Sequence, residues 1–186
     1  MTPALHPLGL AAVGLVAIAF AAACGGGDSD GSDGFERYEE DGLAVEYPES
    51  WTRDEEKEGG EDGFAVSVRG KRDQNGLFPR LSVARQDKEF ANAAQAGGVM
   101  AAERPFQLSD GRLVSDGAAE VPGADGAWRV ETRFSIELDG GGKVPGLSIE
   151  LIALKDDEQF ILTLAGPAER IEPLPVERIV GSLDLS

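Results

Sequence analysis

The sequence predicts an α+β fold, an antiparallel β-sheet of about six or seven strands packed by helices. Three observations predict it. In Trp128-Val130-Thr132-Phe134-Ile136-Leu138 the apolar positions recur at every second residue, with Arg129, Glu131, Arg133, Ser135 and Glu137 between them. That period of two marks a long strand with one buried and one wet face. Leu147 to Leu154 and Phe160 to Ala165 are apolar on both faces, as central strands covered on both sides are. Asp156-Asp157-Glu158 between them has the length of a hairpin connection, so the two runs pair antiparallel. Finally, Val176, Ile179, Val180 and Leu183 recur at i, i+3, i+4 and i+7, the stripe of a helix laid across a sheet.

The remaining elements follow in order. Leu43-Val45-Tyr47, Phe64-Val66-Val68 and Leu81-Val83 are shorter alternating strands. Asp87 is suited to cap a helix from Lys88 to about Glu103, with Phe90, Ala94, Gly97 and Met100 or Ala101 along one face. Each glycine of Gly97-Gly98 weakens that helix by about 1 kcal/mol relative to alanine, which points to close packing there. Pro105 is expected to end it. Gly111 and Gly117 punctuate a strand near Arg112 to Ser115, and Ala118 to Val121 adds another. Asp139-Gly140-Gly141-Gly142 reads as a turn. Pro175 suits the first turn of the last helix.

The amino-terminal part carries an address. Leu8 to Ala23 contains no charge, and it is too short and alanine-rich for a membrane span of about 20 strongly apolar residues. It ends in Ala21-Ala22-Ala23-Cys24-Gly25, which resembles a bacterial lipobox, with cleavage between Ala23 and Cys24 and acylation of the Cys24 sulfur. Two departures stand against the pattern: no Lys or Arg precedes the apolar stretch, and alanine stands where lipoboxes prefer leucine. Ordinary cleavage after Ala23 and an uncleaved anchor are the competing readings. A diacylglyceryl thioether supplies two chains at about 0.8 kcal/mol per buried methylene, enough for a stable tether without a polybasic helper. The expected organisation is a lipoprotein signal peptide over 1–23, a lipidated flexible linker over 24–34 and one domain over 35–186, on the extracytoplasmic face of the cell membrane. Gly25 to Gly34, GGGDSDGSDG, cannot bury enough apolar surface to order itself, and its r.m.s. reach is on the order of 15–20 Å. Asp28, Asp30 and Asp33 with Glu39 suggest a calcium loop, but its sixth position requires Gly and is Asp33, so a solvated spacer is preferred and no metal site is expected.

Composition excludes more than it assigns. The net charge of −17 lies wholly outside the leader and argues against nucleic acid and against peripheral binding to anionic lipid. Cys24 is the only cysteine, so no disulfide forms within the domain. His6 is the only histidine and leaves with the leader, which removes Ser-His-Asp and Cys-His catalysis, histidine-ligated zinc and a histidine base. No S-x-x-K, G-x-S-x-G or phosphate-loop motif occurs. Acidic pairs such as Glu39-Glu40, Asp54-Glu55 and Asp156-Asp157 lie in polar runs that read as solvated turns. No cofactor is implied. Arg outnumbers Lys and Ala and Gly abound, as a high-GC, actinobacterium-like genome produces.

The segment Gly42-Leu-Ala-Val-Glu-Tyr-Pro-Glu-Ser-Trp51 resembles the opening of Mog1/PsbP-like domains: a short amphipathic strand, Tyr-Pro, a small gap, then Trp. Pro48 stops the pairing by removing a donor, and Trp51 returns its ring onto the core edge. The final helix leading into Gly181-Ser182-Leu183 is similar to that group's ending, and element order matches over roughly 35–186. The nearest type is the actinobacterial lipoprotein of the LpqN kind. The resemblance implies an antiparallel sheet sandwiched by helices and a binding or accessory role rather than an enzyme, and it brings no catalytic residue. The acidic insert Asp54 to Asp62 and the Gly140-Gly141-Gly142 loop are outside the shared pattern. Tyr47, Trp51 and Trp128 are read first as core aromatics and second as the floor of a ligand groove. Arg129, Glu131 and Arg133 are a solvated sheet face or a recognition surface. The expected partners are the membrane, through the lipid, and a protein or small apolar molecule. A carboxylate-dependent hydrolase and a structural spacer are the alternatives.

Overall fold

A computed structural model of the chain describes residues 34–54 and 63–186. The leader, Ala23, Cys24, the linker as far as Asp33 with its three aspartates, and residues 55–62 of the acidic insert lie outside the described residues. Among the described residues no helix is long and apolar enough to cross a membrane.

The chain opens with a hairpin of β1 (Phe35–Glu40) and β2 (Leu43–Pro48). Its turn is Asp41-Gly42, both with positive φ (51° and 73°), the turn chemistry that matches strand twist. Then come β3 (Thr52–Arg53), β4 (Phe64–Arg69), β5 (Arg80–Asp87), α1 (Ala93–Gln107), β6 (Arg112–Ala119), β7 (Gly126–Glu137), β8 (Lys143–Lys155), β9 (Glu158–Pro167), α2 (Ala168–Ile171) and α3 (Val176–Gly181). Seven strands form one antiparallel sheet in the order β3-β4-β5-β9-β8-β7-β6. The β8–β9 hairpin predicted from its connection is there, closed by Asp156 and Asp157 between the paired Lys155 and Glu158.

The pleat separates two layers. Leu81, Val83, Leu147, Ile149, Leu151, Ala153, Phe160, Leu162 and Leu164 point to one face, which is covered by the β1–β2 hairpin, α2 and α3. The predicted α3 stripe closes this core: Ile179, Val180 and Leu183 are buried and Val176 packs at its edge. Trp128, Ile152 and Leu154 point to the opposite face and meet Ala93 and Ala96 of α1. Each aliphatic chain so buried contributes about 1.5–3 kcal/mol.

Several expectations are corrected. Asp87 does not cap α1; it is the last residue of β5, paired with Glu158, and the sheet claims it first. The cap is Asn92, whose side chain accepts from Gln95 N at 2.9 Å. Pro105 does not end the helix: it sits in the last turn, where only its own amide bond is lost, and Leu108 N still donates to Arg104 O at 3.2 Å. Arg112–Ala119 is one strand through Gly117, and Val121 lies beyond it. Pro175 is the residue before α3 rather than in its first turn. Neither β1 nor α2 was expected. The Arg129–Glu131–Arg133 face of β7 is bridged to the helical layer: Arg129 Nη1 bonds Glu177 at 2.9 Å and Arg133 Nη2 bonds Glu172 at 2.7 Å.

Candidate functional site

Helix α1 positions the site. It lies over β6, β7 and β8, and two contacts seat it there. The first is shape. A Cβ placed on Gly97 would stand 2.0 Å from Trp128 Cδ1, so only glycine lets the helix backbone rest on the indole. Close packing at Gly97 is therefore real, whereas Gly98 faces open space. The second is charge. Glu150, in the middle of β8, is 1% exposed and receives both Arg104 Nε at 2.8 Å and Arg104 Nη2. Arg104 Nη1 also donates to Gln107 at 2.9 Å. A carboxylate this deep requires a paired, hydrogen-bonded cation, and a bidentate guanidinium is the strongest form of that pairing.

Beside this seat the sheet runs on past the helix, leaving a groove of about 190 Å³ between α1 and β9. Its floor is Ile152, Ile161 and Gln159; its wall is Ala96, Val99, Met100 and Arg104; Phe90, from the β5–α1 link, closes one end. The apolar strip is rimmed by polar side chains, Gln86, Glu89, Glu103 and Gln107, and one polar group lies at its floor. Gln159 is 3% exposed and its Oε1 is buried with no hydrogen-bond partner. A buried acceptor without a donor costs about 1–3 kcal/mol, so this oxygen is the polar handle of the groove. A second cavity, of about 380 Å³, lies at the other end of α1 and is lined by Asn92, Ala94, Asp125, Trp128 and Leu154. Trp128 Nε1 is likewise buried without an acceptor.

The sequence-predicted aromatics are divided by the sheet. Tyr47 (4% exposed) and Trp51 (8%) belong to the core beneath the β1–β2 hairpin. Tyr47 OH donates to Glu36 at 2.9 Å, and Trp51 N donates to Pro48 O at 2.9 Å in the turn that swings its ring inward. Trp128 packs against α1 on the opposite face. No one groove is floored by all three. Sequence reasoning missed Glu150, Arg104 and Gln159. A signal existed: Glu150 is the one charge within an apolar run expected to be covered on both faces, and such a charge demands a cation.

Among the described residues no cluster of His, Cys, Asp or Glu could hold a metal ion. The carboxyls whose pKa shifts are surface groups away from the groove. Asp110 is lowered by its hydrogen bonds to Lys143, then Ser135, and Asp184 by its bonds to Ser186.

No protein-family model matches the chain, and no curated protein does. Solved structures do. Cyanobacterial PsbP (CyanoP) from Synechocystis aligns with a TM-score of 0.59 at 18% identity, over 89% of this chain and 99% of that one. Mog1p of Saccharomyces cerevisiae, a Ran-binding protein, gives 0.53 at 9% identity over 81% and 95%. LpqN of Mycobacterium tuberculosis, involved in cell envelope biogenesis, gives 0.54 at 12% identity over 82% and 86%. Identities this low carry the fold and nothing finer, and the seven-stranded antiparallel sheet with helices on both faces agrees with it: the described residues share the α+β fold of PsbP, Mog1p and LpqN.

Proposed function

We propose that this chain is a non-enzymatic binding protein of the cell envelope, tethered through a lipid on Cys24, whose domain takes a partner's apolar side chain into the groove beside α1. One observation carries the reading: a groove with an apolar strip of Phe90, Val99, Met100, Ile152 and Ile161 and a buried, unpaired acceptor, Gln159 Oε1, at its floor. The volume supports a protein partner over a small molecule. Small-molecule sites run to about 300–1,000 Å³, whereas about 190 Å³ suits one large side chain from a protein partner. Tyr and Trp combine an apolar body with an O–H or N–H donor, and such residues anchor interfaces. The Ran-binding activity of Mog1p and the envelope role of LpqN lend support by analogy of fold. A carboxylate-dependent hydrolase needs two carboxyls converging on one reacting atom. The groove's carboxylates, Glu89 and Glu103, are both exposed, and the buried Glu150 beside it is neutralised by Arg104, which favours the binding reading.

Two experiments test it. A photo-crosslinker at Val99, with the full chain in intact cells, is expected to capture a defined envelope protein, and Ile161→Arg, which fills the groove with charge, is expected to abolish capture while leaving the fold intact. Capture undiminished by Ile161→Arg would overturn the groove assignment. For the tether, Cys24→Ser is expected to release the protein from the membrane fraction and to end uptake of labelled fatty acid; a Ser variant that stays with the membrane defeats that part.

A further inference from the structure

We propose that the corner of the sheet around Phe78 binds an oxyanion, a phosphate or a phosphate ester, through Arg69, Arg72 and Arg80. The site is separate from the groove beside α1, so either can fail without the other. The guanidinium carbons of Arg69, Arg72 and Arg80 lie 5.8, 4.8 and 5.4 Å from the centroid of the Phe78 ring. Arg69 and Arg80 are paired neighbours on β4 and β5, so the pleat sets them side by side on one face. Arg72 and Phe78 come from the loop between those strands. Gly70 N donates to Pro79 O at 2.9 Å and Asp73 N to Leu77 O at 2.7 Å, which closes the loop on itself. The loop rests on Gly166, where a Cβ would stand 2.8 Å from Pro79 Cα. The platform is thus fixed before anything binds.

The charge balance of this corner is unlike that of the chain. A protein with 34 acidic and 17 basic side chains has carboxylates to spare for every cation. Yet Arg69 and Arg72 have no ion-pair partner among the described residues, and Lys71 adds a further cation beside them. Asp54 stands 3.5 Å from Arg80. The Oδ1 of Asp73 accepts from Asn75 N and Leu77 N at 2.8 and 2.9 Å, so that oxygen is committed to the turn. Arg80 Nε is buried and has no acceptor. Three guanidiniums held around one ring repel one another unless an anion lies between them or water screens them. Stacking on an aromatic face orients each fork; Arg72 Nη1 donates to Gly76 O at 3.1 Å, and the remaining N–H groups suit phosphate oxygens, which such forks match two at a time. The residue type fits as well: all three cations at the ring are Arg, the side chain whose geometry selects oxyanions, rather than Lys.

Free phosphate and a lipid phosphate share this chemistry, and the test separates them. With the full chain in neutral detergent at low salt, arginine Nε–H signals are followed by NMR during titration with sodium phosphate and, as a control, sodium chloride. Co-sedimentation of the Cys24→Ser chain, which has no thiol to acylate, with phosphatidylcholine vesicles, with and without phosphatidylglycerol, is measured in parallel without detergent. Saturable shifts of the Arg69, Arg72 and Arg80 signals by phosphate and not chloride are expected, weakened about tenfold for each of Arg69→Gln and Arg72→Gln, with Arg112→Gln as an unaffected control. Sedimentation that needs phosphatidylglycerol and is lost in the Arg69→Gln/Arg72→Gln double variant assigns the headgroup as the source; phosphate shifts without sedimentation assign the free anion. Thermal melts show whether the variants fold, and Phe78→Leu, which keeps the arginines but not the ring, is expected to weaken binding in part. Equal response to phosphate and chloride together with no phosphatidylglycerol dependence, or binding unchanged in the double variant, would overturn the proposal.

Discussion

At the scale of single residues, two contacts decide how α1 sits. Gly97 is the sharper. Because Trp128 occupies the space a side chain needs, Gly97→Ala forces the helix off the indole, although alanine is the better helix former by about 1 kcal/mol. Overpacking costs about 1–3 kcal/mol, so a net loss is expected in urea denaturation. Gly98→Ala, which meets nothing, is the matched control and should stabilise. Arg104 and Glu150 give the second test. Arg104→Met leaves a buried carboxylate alone and should cost about 3–5 kcal/mol, while Arg104→Met combined with Glu150→Leu should recover most of that loss. A double-mutant cycle in urea measures the coupling; additive losses would mean the pair is not the unit described here.

Among the elements, strands were legible in the sequence wherever one face is uniformly apolar. β7 alternates and β8 and β9 are largely apolar, so their identity follows from the pattern, and the pairing of β8 with β9 from their short connection. β1 is different: Tyr38 is its one buried residue, and a strand that covers the core with one side chain leaves no stripe to read. The Tyr47–Trp51 string was legible because Pro48 and Trp51 act locally. The start of α1 was not, because Asp87 and Asn92 are both capping residues and the choice between them is made by β9, more than seventy residues away in sequence. The groove was hidden for the same reason, since its floor and wall meet only through the sheet. Asn92 now carries a testable role: Asn92→Ala removes the acceptor for Gln95 N and should cost about 1 kcal/mol of global stability by thermal or urea unfolding, with Asp87→Ala near neutral.

The whole molecule is governed by its charge. Asp110 and Asp184 have lowered pKa values, from their hydrogen bonds to Lys143 and Ser135 and to Ser186. A depressed carboxyl stabilises the fold above its unfolded value, near 3.9, and that contribution is lost as pH falls through its folded value. The chain's charge of −17 opposes the compact state through self-repulsion. Urea midpoints should therefore drop below about pH 4, and Asp110→Asn should flatten that acid limb by lowering the neutral end while leaving the acid end in place. An acid limb of unchanged slope in Asp110→Asn would remove Lys143 and Ser135 from the account.

The glycine seat of α1 has a last consequence, for kinetics. Gly97 seats α1 directly on the Trp128 indole, so moving the helix means lifting it off the ring. For the partner proposed for the channel beside it, a seated helix leaves little ordering entropy to be lost on contact, so binding is expected to follow lock-and-key kinetics. Variants of the channel lining should then alter how long a partner stays far more than how fast it arrives.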